Sequence, residues 1–271
     1  MNIRFEYSFF GDNGRLYDVK ADIEGSYDYY KALKSVLKIY KMTDYLLIRL
    51  GSQDCDGGYI MADSFAEHGI AYSFGISNDV SWDSAIADCG YKIFMYDNTI
   101  DKLPYEREEF LFFKEGISGM DKIDEPLKTL SYYIDKNGHS HEKNMILKMD
   151  VEGAEWSFLE TVDYDILNQF NQIIIEFHGF IQSENSDKKI KALEKLNKTH
   201  NLIHLHGNNT SYTVKIGNTV FPNVMEATYV NKNSYKTEED TKVFLPIDID
   251  RPNDYYVKDV ELGKWNEPFM L

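Results

Sequence analysis

The chain reads as an α/β protein: a mostly parallel, seven-stranded sheet with helices on both faces. Residues 1–69 precede it as an N-terminal cap, residues 70–232 form the core, and residues 233–271 add an aromatic, acidic extension. Three observations predict this. From residue 70 onward, short continuous apolar runs alternate with helical patterns, as expected of strands buried on both faces between helices. Most of those runs end on an ionisable residue. The composition, 43% hydrophobic and 27% charged over 271 residues, is that of one large globular domain or one domain with an appendage.

Taken in order, residues 3–21 predict a hairpin around the turn signal Gly11-Asp12-Asn13-Gly14. A helix follows over 26–42, with Ala32, Leu33, Val36, Leu37 and Tyr40 on one face. An apolar segment at 45–51, a polar loop ending in Asp56-Gly57-Gly58-Tyr59, and the run Ile60-Met61-Ala62 complete the cap. Strands are then expected at 71–76, 91–97, 110–115, 144–150, 172–176, 202–206 and 224–230. Helices are expected up to Cys89, around 127–134, over 152–162 and over 187–200. Residues 207–223 lack a helical pattern, so the seventh strand is expected to enter antiparallel. Such a sheet, Rossmann-like with its last strand reversed, is that of the class I methyltransferases. The extension holds Tyr255, Tyr256 and Trp265 and is expected to pack on the core or on a second subunit, so a homodimer is considered.

Charge narrows the partners. Lys plus Arg number 29 and Asp plus Glu 45, a formal net charge of −16. Nucleic-acid backbones and anionic membranes are bound by neutralising phosphates with Lys and Arg, so neither is an expected partner. A small-molecule acceptor is. No apolar run approaches the roughly 20 residues of a spanning helix, and Met1–Tyr7 has no signal-peptide core, so a cytoplasmic location is expected. Cys55 and Cys89 read as two reduced thiols, and the Asn-x-Ser/Thr triplets at Asn197, Asn208 and Asn209 carry no weight.

In an open parallel sheet, ligands lie beyond the carboxyl ends of the strands, near the point where strand order reverses. That rule selects Gly75, Ile76, Ser77 and Asp79 after the first strand, Asp97 after the second, and Glu115 with Gly116 after the third. It adds Asp150, then Glu176 and His178, then His206 to Asn209. Asp97 is placed to accept the hydroxyls of a ribose. The loop after the first strand reads Gly75-Ile-Ser-Asn-Asp79, without the second and third glycines that seat a pyrophosphate. A cofactor with a ribose and a sulfonium but no phosphate suits it better, which favours S-adenosyl-L-methionine over NAD.

These residues also resemble a known family. Leu147-Lys-Met-Asp-Val-Glu-Gly-Ala-Glu155 is similar to the signature of FkbM-type methyltransferases. Arg49-Leu-Gly51, Asp56-Gly-Gly-Tyr59, Tyr72-Ser-Phe-Gly-Ile76 and His206-Gly-Asn-Asn209 are similar to further blocks in a branch of those proteins. The resemblance spans about 45–230 and implies S-adenosylmethionine-dependent O-methylation, commonly of a sugar or polyketide hydroxyl. A nucleotide-linked sugar for capsule or other surface polysaccharide is the favoured acceptor.

Methyl transfer to a hydroxyl needs in-line alignment and removal of the hydroxyl proton. His178 is the expected general base, with His206 or Asn208 orienting the acceptor, and Asn209 and Tyr59 assigned beside them. Asp150 and Glu176 complete the catalytic set, and Asp150 also belongs to the cofactor set. A divalent metal on Asp150, Glu176 and His178 is the second reading, not the preferred one. It would make the chain a metal-dependent O-methyltransferase of a small secondary metabolite. A non-catalytic binding protein of the same fold is the third. A methyltransferase acting on exocyclic amines would want an Asn/Asp-Pro-Pro-aromatic segment, and no Pro-Pro occurs.

Overall fold

The computed structural model describes residues 4–10, 16–22, 26–122, 125–181 and 185–269. Its centre is a seven-stranded sheet. In chain order the strands are β1 (Gly69–Phe74), β2 (Tyr91–Tyr96), β3 (Phe110–Phe113), β4 (Met145–Asp150), β5 (Phe170–His178), β6 (His200–Gly207) and β7 (Val224–Asn231). They lie side by side as β6-β7-β5-β4-β1-β2-β3. All neighbouring pairs run parallel except those with β7, which is antiparallel to both β5 and β6. This is the expected class I methyltransferase sheet, and strand order turns at the β1–β4 junction.

Six helices are described: α1 (Ser26–Val36), α2 (Ser81–Asp88), α3 (Leu130–Lys136), α4 (Ala154–Thr161), α5 (Tyr164–Leu167) and α6 (Ser186–Thr199). Period-two alternation sends successive side chains of each strand to opposite faces. Leu147, Met149, Ile173 and Ile175 pack with Leu33 of α1, Phe158 of α4 and Leu193 of α6. Ile146 and Ile174 face the other way, against Tyr59, Met61 and the α2 residues Trp82 and Ile86. Tyr59 and Met61 belong to an antiparallel hairpin, Leu47–Gly51 with Gly58–Ala62. The hairpin is fixed to the sheet by the Thr228 hydroxyl donating to the Ile60 carbonyl and by Gln172, which bonds both backbone groups of Ala62.

Some boundaries differ from expectation. Strands Arg4–Phe10 and Leu16–Asp22 pair antiparallel as expected, while the turn Gly11–Gly14 lies outside the described residues. The helix expected over 26–42 stops at Val36, because Tyr40–Met42 pairs instead with Thr237–Glu239 of the extension. The helix-free segment 207–223 holds a further hairpin, Thr213–Ile216 with Thr219–Pro222, whose first strand pairs with Arg4–Phe10. The extension packs on its own chain: Trp265 is fully buried and its indole N–H donates to the Leu37 carbonyl at 2.8 Å. Among the described residues, no helix is long and apolar enough to cross a membrane.

Candidate active site

Register organises the site. Asp150 of β4 is paired with Glu176 of β5, Glu176 with Glu226 of β7, and Glu226 with His206 of β6. Laterally paired residues point to the same side of a sheet, so three carboxylates and an imidazole form one row at its edge. The row lies on the face covered by the Tyr59 hairpin, whose loop adds Asp56. Ligand oxygens of Asp56, Glu176 and Glu226 lie within 4.8 Å of one another. Burial raises the pKa of Glu176 well above the usual carboxylate range, and Asp150, Glu226 and Asp56 push it further. Asp150 is raised too, first by burial, with Lys148 and His178 pulling the other way.

Beyond the ends of β1, β2 and β4 opens a cavity of about 540 Å³, within the usual size of a small-molecule site. Gly75 bends the chain there at φ +79°, and a Cβ on it would fall on the Asp150 carbonyl oxygen, so only glycine fits. The next residues wrap around Asp97. One of its carboxylate oxygens accepts the Ile76 and Ser77 N–H groups, both at 2.8 Å, and the other accepts the N–H and hydroxyl of Thr99. Burial would raise the Asp97 pKa, but these bonds outweigh burial and hold it below the ordinary carboxylate value. Asp97 therefore shapes the loop as well as facing the cavity, and its roughly four acceptor positions are all engaged. Asp79, also in the wall, accepts the Ser81 N–H at the start of α2. Ser77 and Glu152, both in the cavity wall, are non-glycine residues at positive φ (50° and 52°), backbone strain of the kind that concentrates at functional sites.

His178 ends β5 and stands behind that wall. Its Nε2 is 3.4 Å from Glu152 and 3.9 Å from both Asp150 and Glu176. Its Nδ1 is 3.3 Å from Glu155, outside hydrogen-bond geometry. Burial lowers the imidazole pKa, but Glu155, Glu152 and Asp150 outweigh it and the net direction is upward. Asp150, Glu152 and His178 offer ligand atoms within 4.8 Å of one another, whereas Glu176 groups with Asp56 and Glu226. The metal set expected as Asp150, Glu176 and His178 thus divides between two clusters.

Three expected site residues are corrected by their surroundings. His206 is 1% exposed, its Nδ1 3.2 Å from Glu226 and its Nε2 3.0 Å from Asp259. With both nitrogens held by carboxylates it has no lone pair to serve as a base and no face for an acceptor. Asn209 spends its amide on the extension, donating to the Asp254 and Val257 carbonyls and accepting the Asp254 N–H. Glu115 turns away to Lys136 at 2.8 Å, leaving only Gly116 of that pair in the cavity wall. Asn208 does reach the row, donating to Glu176 at 2.8 Å. Tyr59 lines the cavity, its hydroxyl pKa raised first by burial and then by Asp150 and Glu176.

Four charged residues in the cavity wall were not expected as site residues: Asp56, Asp83, Lys148 and Glu152. Lys148 is buried, 5.7 Å from the Tyr59 ring centre, and donates to the Gly75 carbonyl at 2.8 Å. Asp56, Lys148 and Glu152 stand inside the family-like blocks, close in sequence to the candidates Tyr59 and Asp150, which could have marked them. Asp83 carries no sequence signal.

Residues 71–204 match the model of the methyltransferase FkbM domain. They form an FkbM methyltransferase domain. The stretch runs from β1 into β6 and includes the β4–α4 turn with Asp150, Glu152 and Glu155. No curated protein matches the chain. Among solved structures it is similar to a protein provisionally named a hemolysin from Streptococcus thermophilus. That match has TM-score 0.37 and 12% identity, covering 64% of this chain and 62% of that one. A second is provisionally named a methyltransferase from an antibiotic biosynthesis pathway of Anabaena variabilis, with TM-score 0.31, 10% identity, and 53% and 61% coverage. A third is a mutant 16S rRNA (adenine(1408)-N(1))-methyltransferase from Catenulisporales acidiphilia, with TM-score 0.31, 8% identity, and 85% and 98% coverage. The chain thus spans about three fifths of the first two structures.

Proposed function

We propose that this FkbM-domain methyltransferase uses S-adenosyl-L-methionine to methylate a hydroxyl of a sugar, in a nucleotide-linked form, for capsule or other surface polysaccharide. The carrying observation is the juxtaposition of the cavity at the β1–β4 junction with the Asp150–Glu176–His178 corner. The donor set fits that cofactor. Gly75 lets the Asp150 backbone close up beneath the cavity, the Asp97-held loop presents polar groups without a phosphate cradle, and Ile117 and Leu127 supply an apolar wall at the β2–β3 end. Bound there, S-adenosylmethionine supplies a methyl carbon on a sulfonium.

The chain's own residues then orient the acceptor and take its proton. His178 is the base: its Nε2 faces Asp150 and Glu152 on the cavity side, and these carboxylates stabilise the imidazolium that forms. Because they also raise its pKa, His178 reaches its base form at a higher pH than an ordinary histidine does. Asn208 and Glu176 form the polar floor beside it, and Tyr59 lines the cavity next to the acceptor. The acidic surface supports a cytoplasmic small-molecule enzyme over one acting on nucleic acid or membranes, and a homodimer stays part of this reading.

Calorimetric titration of the metal-stripped protein with S-adenosylhomocysteine, against NAD as control, tests the cofactor. A panel of nucleotide sugars with S-adenosylmethionine then tests the acceptor. Micromolar binding of the homocysteine compound alone is expected, and tight NAD binding would overturn the reading. A metal-dependent variant is favoured by one observation, the convergence of Asp150, Glu152 and His178. These would hold an ion that polarises the acceptor oxygen. Turnover that survives thorough chelation retires it.

A further inference from the structure

Asp83 is a carboxylate in an unusual position. It lies in the first turn of α2, is 1% exposed, and lines the cavity. Its Oδ1 is buried without a hydrogen-bond partner, and among the described residues Asp83 forms no ion pair. A buried acceptor left unmade is costly and rare, which makes it a pointer to a ligand.

The sheet beneath Asp83 explains what kind. Lys148 of β4 is laterally paired with Ser73 of β1, on the face that α2 covers. Burial raises the Asp83 pKa, and the Lys148 ammonium, which donates to the Gly75 carbonyl at 2.8 Å, lowers it. The Ser73 hydroxyl is buried next to Asp83 and lowers its pKa as well. So a buried carboxylate with one oxygen still open sits at the β1–β4 junction, in the cavity wall. Asp97, Gly116, Ile117 and Leu127 mark the other end of the cavity, at β2 and β3. A ligand spanning the two ends must bring hydrogen-bond donors, preferably cationic ones, to the Asp83 end.

We propose that Asp83 receives the ammonium group of the methionine moiety of S-adenosylmethionine. This rests on the cofactor reading above and places the adenosine towards Asp97. Asp83 then binds the cofactor's amino-acid tail and takes no part in proton transfer.

The test compares two ligands that differ in that tail. S-adenosylhomocysteine carries the ammonium, and 5′-methylthioadenosine keeps the adenosine but lacks the whole amino-acid group. By calorimetry, Asp83→Asn should weaken the first roughly ten- to a hundredfold, as loss of a charge-assisted bond predicts, and leave the second unchanged. On the unaltered protein, the deaminated form of S-adenosylhomocysteine should bind worse than the parent by a similar factor, which keeps the test independent of the variant's folding. Equal weakening of both ligands by Asp83→Asn would assign Asp83 to the adenosine or to the fold, and full retention of both would remove it from the site. An unaltered protein that binds methylthioadenosine and S-adenosylhomocysteine equally well also overturns the proposal. One that binds neither overturns the cofactor reading, and the Asp83 assignment with it.

Discussion

Glu155 Oε1 accepts the backbone N–H of His178 at 2.6 Å, while Oε2 of the same carboxylate accepts the Gly153 N–H at 2.8 Å. The side chain is fully buried. It ties the left-handed turn after β4 to the point where β5 ends, and Trp156 closes the clamp by donating to the His178 carbonyl at 2.7 Å. Glu155→Gln keeps the shape but turns one acceptor into a donor facing an N–H. The expected cost is about 1.5–3 kcal/mol, the worth of a hydrogen bond to a charged group, read as a lower urea midpoint at unchanged slope. The His178 pKa should also fall, because a carboxylate 3.3 Å away has been neutralised; an unmoved imidazole titration by NMR would contradict this.

The C-terminal extension is latched by charge. His206 bridges Glu226 and Asp259, and His204 Nε2 lies 3.0 Å from Asp250. Burial lowers the His206 pKa, but Asp259 and Glu226 outweigh burial and raise it well above 6.5. A group whose folded pKa is raised stabilises the fold fully below its unfolded pKa, and that contribution is lost as pH climbs through the folded value. Asp250 has the opposite sign: burial raises it, His204 and His206 outweigh burial, and its contribution is lost as pH falls below the ordinary carboxylate range. Thermal stability should therefore decline on the alkaline side of neutrality. In His206→Gln that slope should flatten, whatever the variant's absolute melting temperature.

Gly75→Ala is expected to be severe. The left-handed backbone costs about 1–3 kcal/mol for a residue with a Cβ, and the new methyl would collide with the Asp150 carbonyl. Relief requires β1 and β4 to part where the cavity opens. Circular dichroism should show a lowered melting temperature, and calorimetry a loss of S-adenosylhomocysteine binding. A variant that melts and binds like the parent would mean that the Gly75–Asp150 approach is not a constraint.

The strands and their acidic ends could be read from the sequence because β-sheet burial leaves a local trace: an apolar run, then a polar residue at the rim. Asp150, Glu176, His178, Gly75 and Asp97 are all placed at strand ends that way. What failed depended on distant partners. His206 and Asn209 sit at a strand end like the others, but Asp254, Val257 and Asp259 of the extension cover them. The helix expected to reach Met42 is cut short by pairing with residues 237–239, some 200 positions away. Asp83 reads as an ordinary helix-first-turn acid, and only the sheet face beneath it makes its burial visible.

Asp97 separates loop architecture from ligand contact. An amide at this position has one oxygen where the carboxylate has two, so Asp97→Asn must aim its NH₂ at either the Ile76 and Ser77 N–H groups or at Thr99. The rotamer that keeps the Ile76 and Ser77 bonds gives up the Thr99 N–H, and Asn98 and Thr99 at the cavity rim are then released. S-adenosylhomocysteine affinity should drop in Asp97→Asn and drop further in Asp97→Ala, which loses both sets of bonds. Melting temperatures should follow the same order, since burial makes each lost acceptor count. If the affinity falls in both variants while the melting temperatures stay level, Asp97 contacts the ribose and the loop bonds are incidental. If the melting temperatures fall and the affinity holds, the carboxylate serves the loop alone.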